Sequence, residues 1–371
     1  MSDETPPAGA FRLARVAGVP VYLDRTWLVL AAFIAWSGWQ AGSGLGTGTA
    51  VAYAGSLVVG ILVAVLGHEV AHALAGRLLG FRVHRIMATL WGGHTSYDGT
   101  GITPGRAAGV AVAGPLANVA LAMLGYAAYL ALPFPGSEFA WSFVVLNVLL
   151  AGFNLLPGLP LDGGQLVESL VWQVTGRRDR GLVVAGWCGR LLAVGLVLWF
   201  VARPLFLRFG DSPDILSLVL GLVMAWILWT GATAAINRAP FERLVSNVRL
   251  EDVVEPASVV PLATPLGELP RDGRQVLALD DHGLPTLVLT TPEGVTDLGA
   301  LDPRTPLSSL VLRLPDAAVV DVGPQPTTEG VIRALALSRQ PLVVLTDGGV
   351  VRGVVTARRV NAVAEGTQRR N

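Results

Sequence analysis

Lysine is missing from this chain altogether. All 27 basic side chains among its 371 residues are arginine, and 27 Asp and Glu balance them to zero net charge. A chain with no excess positive charge has little to set against a polyphosphate backbone, which excludes a general nucleic-acid binder. Exclusive use of arginine points to GC-rich coding rather than to a physical requirement. Cysteine is scarce too: Cys188 stands alone, so there is no intrachain disulfide framework. Charge of either sign is low, at 15% of residues against roughly 25% in soluble domains. The amino terminus runs acidic and then basic with no apolar core, so it does not read as a cleavable signal peptide.

Apolar side chains fill the gap, at 52% of the chain with a mean hydropathy of +0.56, a membrane-class composition. Six segments, near 26–42, 50–79, 107–132, 139–157, 181–202 and 213–237, are long enough to cross about 30 Å of hydrocarbon. Beyond Asn237, residues 249–365 read as a soluble α/β region. The expected division is therefore 1–240 for a six-helix membrane domain and 241–371 for a cytoplasmic one. Arg12, Arg15 and Arg25, then Arg77, Arg82, Arg85 and Arg106, then Arg177, Arg178, Arg180 and Arg238 fall on one side of the spans. The other side receives a charge-free loop, a loop holding only Glu138, and a loop with Arg203 and Arg208 against Asp211 and Asp214. The positive-inside rule places both termini in the cytoplasm. Between the second and third spans, residues 81–106 are too polar and Gly-rich to cross. Their alternation predicts a β-hairpin at the membrane face, with Gly92-Gly93 allowing close approach by another chain.

The second span ends with His68-Glu69-Val70-Ala71-His72. Residues i and i+4 share a helical face, so both imidazoles can reach one metal ion, and Glu69 stands close enough to take a proton from water there. Ionisable groups at this depth cost about 2.5–3.5 kcal/mol each even on lenient scales, so they are functional candidates by default. Catalytic zinc takes a third protein ligand. Its candidate is Asp162, in the run NLLPGLPLDGGQLVESL at 154–170. Pro157 and Pro160 break the fourth span after Asn154, and Gly163-Gly164 permit a sharp turn before a helix near Gln165. Asp162 is also suited by type to cap that helix, and Asn154 to satisfy carbonyls freed by the proline break. Arg190, inside the fifth span, predicts a structural ion pair. His94 reads as a solvated loop histidine.

HEVAH in one span and NLLPGLPLDGG at the end of a later one together resemble the site-2 protease family of intramembrane metalloproteases. AGVAVAGPLANVALA in the third span, with Gly114-Pro115 and Asn118, matches the same family; these three residues also fit simple helix packing. The resemblance covers roughly residues 60–170. It implies that His68, His72 and Asp162 bind one Zn2+, that Glu69 is the general base, and that Asn154 hydrogen-bonds substrate backbone or a developing oxyanion. The implied substrate is a membrane-anchored regulatory protein cut in or near its transmembrane segment, reaching Gly92 and Gly93 by strand addition.

The C-terminal region contains VLALDDHGLPTLVLTTPEG and PLVVLTDGGVVRGVVTARRVNAV, with hairpin signals at Asp280-Asp281 and Asp347-Gly348-Gly349. It predicts a duplicated β-α-β-β-α unit of about sixty residues and resembles a pair of cystathionine-β-synthase (CBS) domains. That resemblance implies either adenine-nucleotide sensing or a ligand-free module that pairs with a second copy as a homodimer. Thr356 fits the phosphate-contacting position, whereas Ala357 and Arg358 depart from the commoner pattern. The fold class is thus a polytopic α-helical membrane protein of about six transmembrane helices and a membrane-face hairpin, followed by a soluble α/β CBS-like pair. The rival readings are a CBS-regulated membrane transporter and a catalytically silent zinc-binding scaffold.

Overall fold

Apolar runs with no period-two rhythm can satisfy their backbone in lipid only as helices, and the chain forms helices along most of its first half. The computed structural model describes residues 9–89, 92–97, 102–202, 215–270, 272–290, 301–323, 326–338 and 340–368, together with Pro7. It divides into two units, Met1–Ala239 and Pro240–Asn371.

The first unit holds α1 (Trp27–Gly42), α2 (Thr47–Leu78), α3 (Pro104–Ala131), α4 (Gly136–Asn154), α5 (Asp162–Thr175) and α6 (Arg178–Val197). Helix α7 (Ile215–Asn247) begins in this unit and runs on through Pro240. Local chemistry sets several ends. The Thr103 side chain accepts from Arg106 N at 3.4 Å and Pro104 takes the first turn of α3. Gly176, at φ +67°, closes α5 in the left-handed conformation.

Among the described residues five helices are long and apolar enough to cross a membrane: α2, α3, α4, α6 with its continuation to Val201, and α7. The first expected span is a correction. Helix α1 has 16 residues, about 24 Å at 1.5 Å per residue, short of the roughly 30 Å needed. The loop carrying Arg203, Arg208, Asp211 and Asp214 lies outside the described residues.

The expected hairpin is β3 (Val83–Thr89) with β4 (Gly92–Tyr97). It does not stand alone, because β1 (Ala10–Val16) and β2 (Val19–Asp24) form a second hairpin at the amino terminus. Strands β2 and β3 pair in parallel with Val21 opposite Ile86, giving the order β1-β2-β3-β4. Val19, Val21 and Ile86 pack with Ala73, Leu66 and Val70 of α2. Leu23, Trp27 and Ala88 form a neighbouring cluster with Val58, Ile61, Leu62 and Val65.

No ion pair forms at Arg190 among the described residues. Its guanidinium lies 4.9 Å from the Trp187 ring and 5.1 Å from the Trp229 ring, and Nη2 donates to Thr233 Oγ1 at 3.1 Å. Two indole faces offset the charge without a second ion to desolvate.

In the second unit β6 (Ala257–Val259), β7 (Gln275–Ala278), β8 (Leu287–Leu289) and β9 (Val311–Arg313) form one sheet. A second sheet has the order β10 (Val319–Asp321), β11 (Leu342–Asp347), β12 (Val350–Thr356), β5 (Val254–Glu255). In each sheet the first pair is parallel and the next two are antiparallel. The strand pattern is duplicated, whereas among the described residues the helix between the first two strands is not. Helix α8 (Thr328–Ser338) connects β10 to β11, whereas a single 3₁₀ turn, Leu266–Glu268, stands between β6 and β7. Pro261, Pro265 and Pro270 in that connection forbid a longer helix. Helix α9 (Ala357–Gln368) follows β12; the counterpart after β8, from residue 291, lies outside the described residues.

Candidate metal centre

His68 and His72 sit one turn apart on α2, both buried, with their Nε2 atoms 3.0 Å from each other. Each Nδ1 is engaged: His68 Nδ1 with Asn118 Oδ1 at 2.6 Å, His72 Nδ1 with Val110 O at 2.8 Å. Both partners are acceptors on α3. Each neutral ring therefore carries its proton on Nδ1 and presents an Nε2 lone pair. Gly114, between those two partners in the sequence, lies directly against the two rings. A Cβ placed there would lie 2.6 Å from His68 Nε2 and collide with His72 Nε2 as well.

The third group arrives from the broken end of α4. After Asn154 the chain turns through Leu155–Leu161, whose Leu159 N donates to Ala185 O of α6 at 3.1 Å, and re-enters a helix at Asp162. The two glycines after Asp162 are required by packing, since a Cβ at either would strike main-chain atoms of Leu155–Leu159. Asp162 does not cap α5: the N-cap position is Leu161, with no side-chain hydrogen bond. The carboxylate turns instead to the histidines, placing Oδ2 3.1 Å from His68 Nε2 and 3.3 Å from His72 Nε2.

These three atoms fit a metal ion better than they fit one another. Asp162 Oδ2 is buried without a hydrogen-bond donor, because the nitrogens facing it carry lone pairs rather than protons. Two lone pairs and a carboxylate oxygen held 3.0–3.3 Å apart repel, and a divalent cation among them reverses the sign. Donors about 2.0–2.2 Å from zinc at tetrahedral angles sit about 3.3–3.6 Å apart, close to the spacing found here. A His, His, Asp set leaves a fourth position open, the pattern of catalytic rather than structural zinc. Among the described residues this is the one group of His, Cys, Asp and Glu side chains that could hold a metal.

Glu69 lines the same cavity of about 230 Å³, with Gly93, His94, Thr95, Asn154 and Gln165. Buried on α2, it meets β4: Thr95 Oγ1 donates to Glu69 Oε2 at 2.9 Å. Gly93 packs against the same carboxylate so closely that a Cβ would lie 2.6 Å from Oε1. Gly93 thus makes a close approach within the chain itself, to Glu69. Gly92, at φ +110°, faces open space. His94 lines the cavity but is not one of the three converging donors.

Asn154 reaches the cavity as well, although its Nδ2 donates to Leu150 O at 3.1 Å in its own helix. Two further polar residues, Thr95 and Asn147, carry no local sequence signal beyond being polar near or within apolar segments. In the second unit the Thr356 hydroxyl is already in use, donating to Glu255 Oε2 at 3.2 Å and accepting from Arg359 N at the start of α9. Ala357 and Arg358 follow it as the first residues of that helix.

Comparisons with known proteins agree with this chemistry. Residues 136–196, from α4 into α6, match the model of Peptidase family M50. A provisionally named zinc metalloprotease of Mycobacterium tuberculosis is 30% identical over 366 residues, covering 94% of this chain and 91% of that protein. Another, from Synechocystis, is 28% identical over 275 residues, covering 70% and 69%. Among solved structures, the site-2 protease from Methanocaldococcus jannaschii aligns over 61% of this chain and 95% of its own, at 20% identity and a TM-score of 0.44.

Proposed function

The chain belongs to peptidase family M50, the site-2 protease family of zinc metalloproteases, and on that premise we propose that His68, His72 and Asp162 hold its zinc and Glu69 serves as its general base. It is a multi-pass membrane metalloprotease. One observation carries the residue assignment: three buried donor atoms converge within 3.3 Å of one another beside Glu69 in a single cavity.

Zinc, when bound, would polarise a carbonyl and lower the pKa of water to about 7. The protein's own groups move the proton. As the water oxygen bonds to the scissile carbonyl carbon, its proton passes to a Glu69 carboxylate oxygen. As the carbon–nitrogen bond breaks, Glu69 returns that proton to the departing nitrogen. A positioned base of this kind contributes roughly 10²–10⁴-fold. Thr95 holds the carboxylate by its hydroxyl. Asn154, one of whose two Nδ2 hydrogens goes to Leu150 O, has Oδ1 and a second N–H left to hydrogen-bond substrate backbone or a developing oxyanion.

The proposed substrate is the transmembrane segment of a membrane-anchored regulatory protein. It must be extended where it is cut, and β4 is the outer strand of its sheet, so we assign substrate docking to strand addition beginning at Gly92 and Gly93. Crosslinks from a trapped substrate to residues 92–96 would support this assignment, and their absence in an active complex would remove it. The arginine distribution supports cytoplasmic termini. In the second unit the duplicated strand pattern supports a CBS-like regulatory pair that associates with a second copy. An adenine nucleotide there has that pattern in its favour and the engaged Thr356 against it.

The deciding experiment compares purified wild type with Glu69→Gln on a membrane substrate, with zinc quantified in both. Zinc near one per chain in both proteins, with cleavage in the wild type alone, is the expected result. Zinc without cleavage in either would favour the silent scaffold.

A further inference from the structure

Beneath the two histidines lies a line of polar side chains that hydrolysis itself does not use. Asn118 on α3 and Asn147 on α4 are both fully buried in predominantly apolar helices. Asn147 Nδ2 donates to Phe143 O at 2.9 Å, Asn118 Nδ2 donates to Asn147 Oδ1 at 2.9 Å and to Ala64 O at 3.2 Å, and Asn118 Oδ1 meets His68 Nδ1 at 2.6 Å.

We infer that Asn147 and Asn118 form a relay that fixes the tautomer and ring angle of His68, and so sets its strength as a metal ligand. The inference rests on the assignment of His68 to the metal. The sense of the relay follows from its ends. Phe143 O can only accept, so the Asn147 amide must turn its NH2 group to it and its oxygen toward Asn118. Asn118 then faces two acceptors, Asn147 Oδ1 and Ala64 O, and both hydrogens of its NH2 group are committed to them. Its oxygen is left for His68, whose Nδ1 must be the protonated nitrogen, and Nε2 keeps its lone pair for the metal. Each amide has one orientation in which every partner is satisfied. The reversed orientation sets oxygen against oxygen in a buried site, which costs at least as much as a lost hydrogen bond.

Packing alone would not demand this. Two asparagines in the span interior each need partners, yet mutual pairing and backbone carbonyls could provide them without His68. The histidine hydrogen bond is the shortest of the set, and hydrogen-bond partners behind metal ligands typically change metal affinity 10–100-fold. Asn147 is a positioning residue at one remove: it acts on His68 only through Asn118.

The test measures zinc affinity of the full chain in detergent by competition with a chromophoric chelator, with thermal unfolding of the zinc-free protein as a control. Asn118→Leu is expected to weaken zinc 10–100-fold, and Asn147→Leu about fivefold, because Asn118 keeps Ala64 O as one anchor. The double variant should bind zinc no more weakly than Asn118→Leu, since residues acting in series are not additive. Affinities within twofold of wild type in the single variants, or losses that multiply in the double, would overturn the relay. Should Asn118→Leu fail to fold, the Asn147→Leu affinity alone decides: a loss supports the relay and an unchanged value overturns it.

Discussion

Thr95 on β4 reaches across to Glu69 on α2, placing its hydroxyl 2.9 Å from Oε2 and 3.1 Å from the main-chain oxygen of the same residue. The contact ties the sheet to the proposed base rather than to the metal donors. Thr95→Val keeps the shape and removes the donor. A hydrogen bond to a charged group is worth about 1.5–3 kcal/mol, so kcat should fall at least about tenfold while KM and zinc content hold. Thr95→Ser should recover most of the loss. Steady-state kinetics with metal analysis checks both.

Removing one donor of three breaks the metal site more severely than removing the base. Asp162→Ala should purify with little zinc, and His72→Ala likewise, while Glu69→Gln retains about one ion per chain. Wild type stripped by a chelator should lose activity and regain it on addition of zinc. Elemental analysis beside a cleavage assay reads all four.

Gly114 faces the two Nε2 atoms directly, so Gly114→Ala puts a methyl group where the donors converge. Zinc affinity and activity should fall by more than about 100-fold, a loss above the usual range for changes behind a metal ligand. Gly55 on the same helix as the histidines has nothing within 4 Å of a Cβ. Gly55→Ala should be neutral or stabilising by about 0.5–1 kcal/mol, and thermal unfolding separates the two substitutions.

Asp280 carries a pH dependence in the second unit. The Leu284 N–H, then the Thr286 hydroxyl, the His282 N–H and the nearby Arg313 guanidinium hold its carboxyl below the usual carboxylate range. A lowered folded value stabilises above the unfolded value of about 3.9 and is lost as pH falls through the folded one. Hydrogen-exchange protection, taken relative to the intrinsic rate at each pH, should therefore be high at residues 282 and 284 at neutral pH and should fall only well into acid. Asp280→Asn should exchange faster at neutral pH and show a weaker acid response.

The single native cysteine gives access to orientation. In a Cys188→Ala background, Ser308→Cys puts a thiol on an exposed site of the second unit. An impermeant maleimide added to intact cells should leave it unlabelled, and labelling should appear once the cytoplasmic face is opened. Labelling of intact cells would reverse the assigned topology.

The residues that converge on the metal position were legible because their signals are local. His68 and His72 announce themselves by helical spacing, and Asp162 by two prolines before it and two glycines after. The β3–β4 hairpin was readable from alternation. The β1–β2 hairpin was within reach of the same reasoning, since Ala17 at φ +48° and Gly18 at φ +82° make a tight turn between alternating apolar residues. Its parallel pairing to β3 was not, because the partners Val21 and Ile86 are far apart in sequence. Thr95, Asn118 and Asn147 act through contacts between separate elements. Sequence shows only polar residues near or within apolar segments, and gives no hint of which neighbour each will meet. At Gly93 a close approach was anticipated from sequence, but the approach to Glu69 was not.

Helix α2 changes company along its length. As far as Val65 it lies against α1, with Gly42 beside Ala50 and Gly38 beside Ala54. Between Val58 and Leu66 α1 shares it with Leu23 of β2 and Ala88 of β3, and on to Ala73 the same face meets Val19, Val21 and Ile86 of those strands. His68 lies two residues past Leu66, about 3 Å along the helix axis. A helix gives lipid a surface with no backbone polar groups to hydrate, whereas the outer strand of a sheet offers amides and carbonyls that hold water. The metal position therefore lies beside β4, an outer strand of its sheet that meets Glu69 through Thr95 and can hold water there. A reaction that consumes one water for every bond cut draws its second reactant from that side.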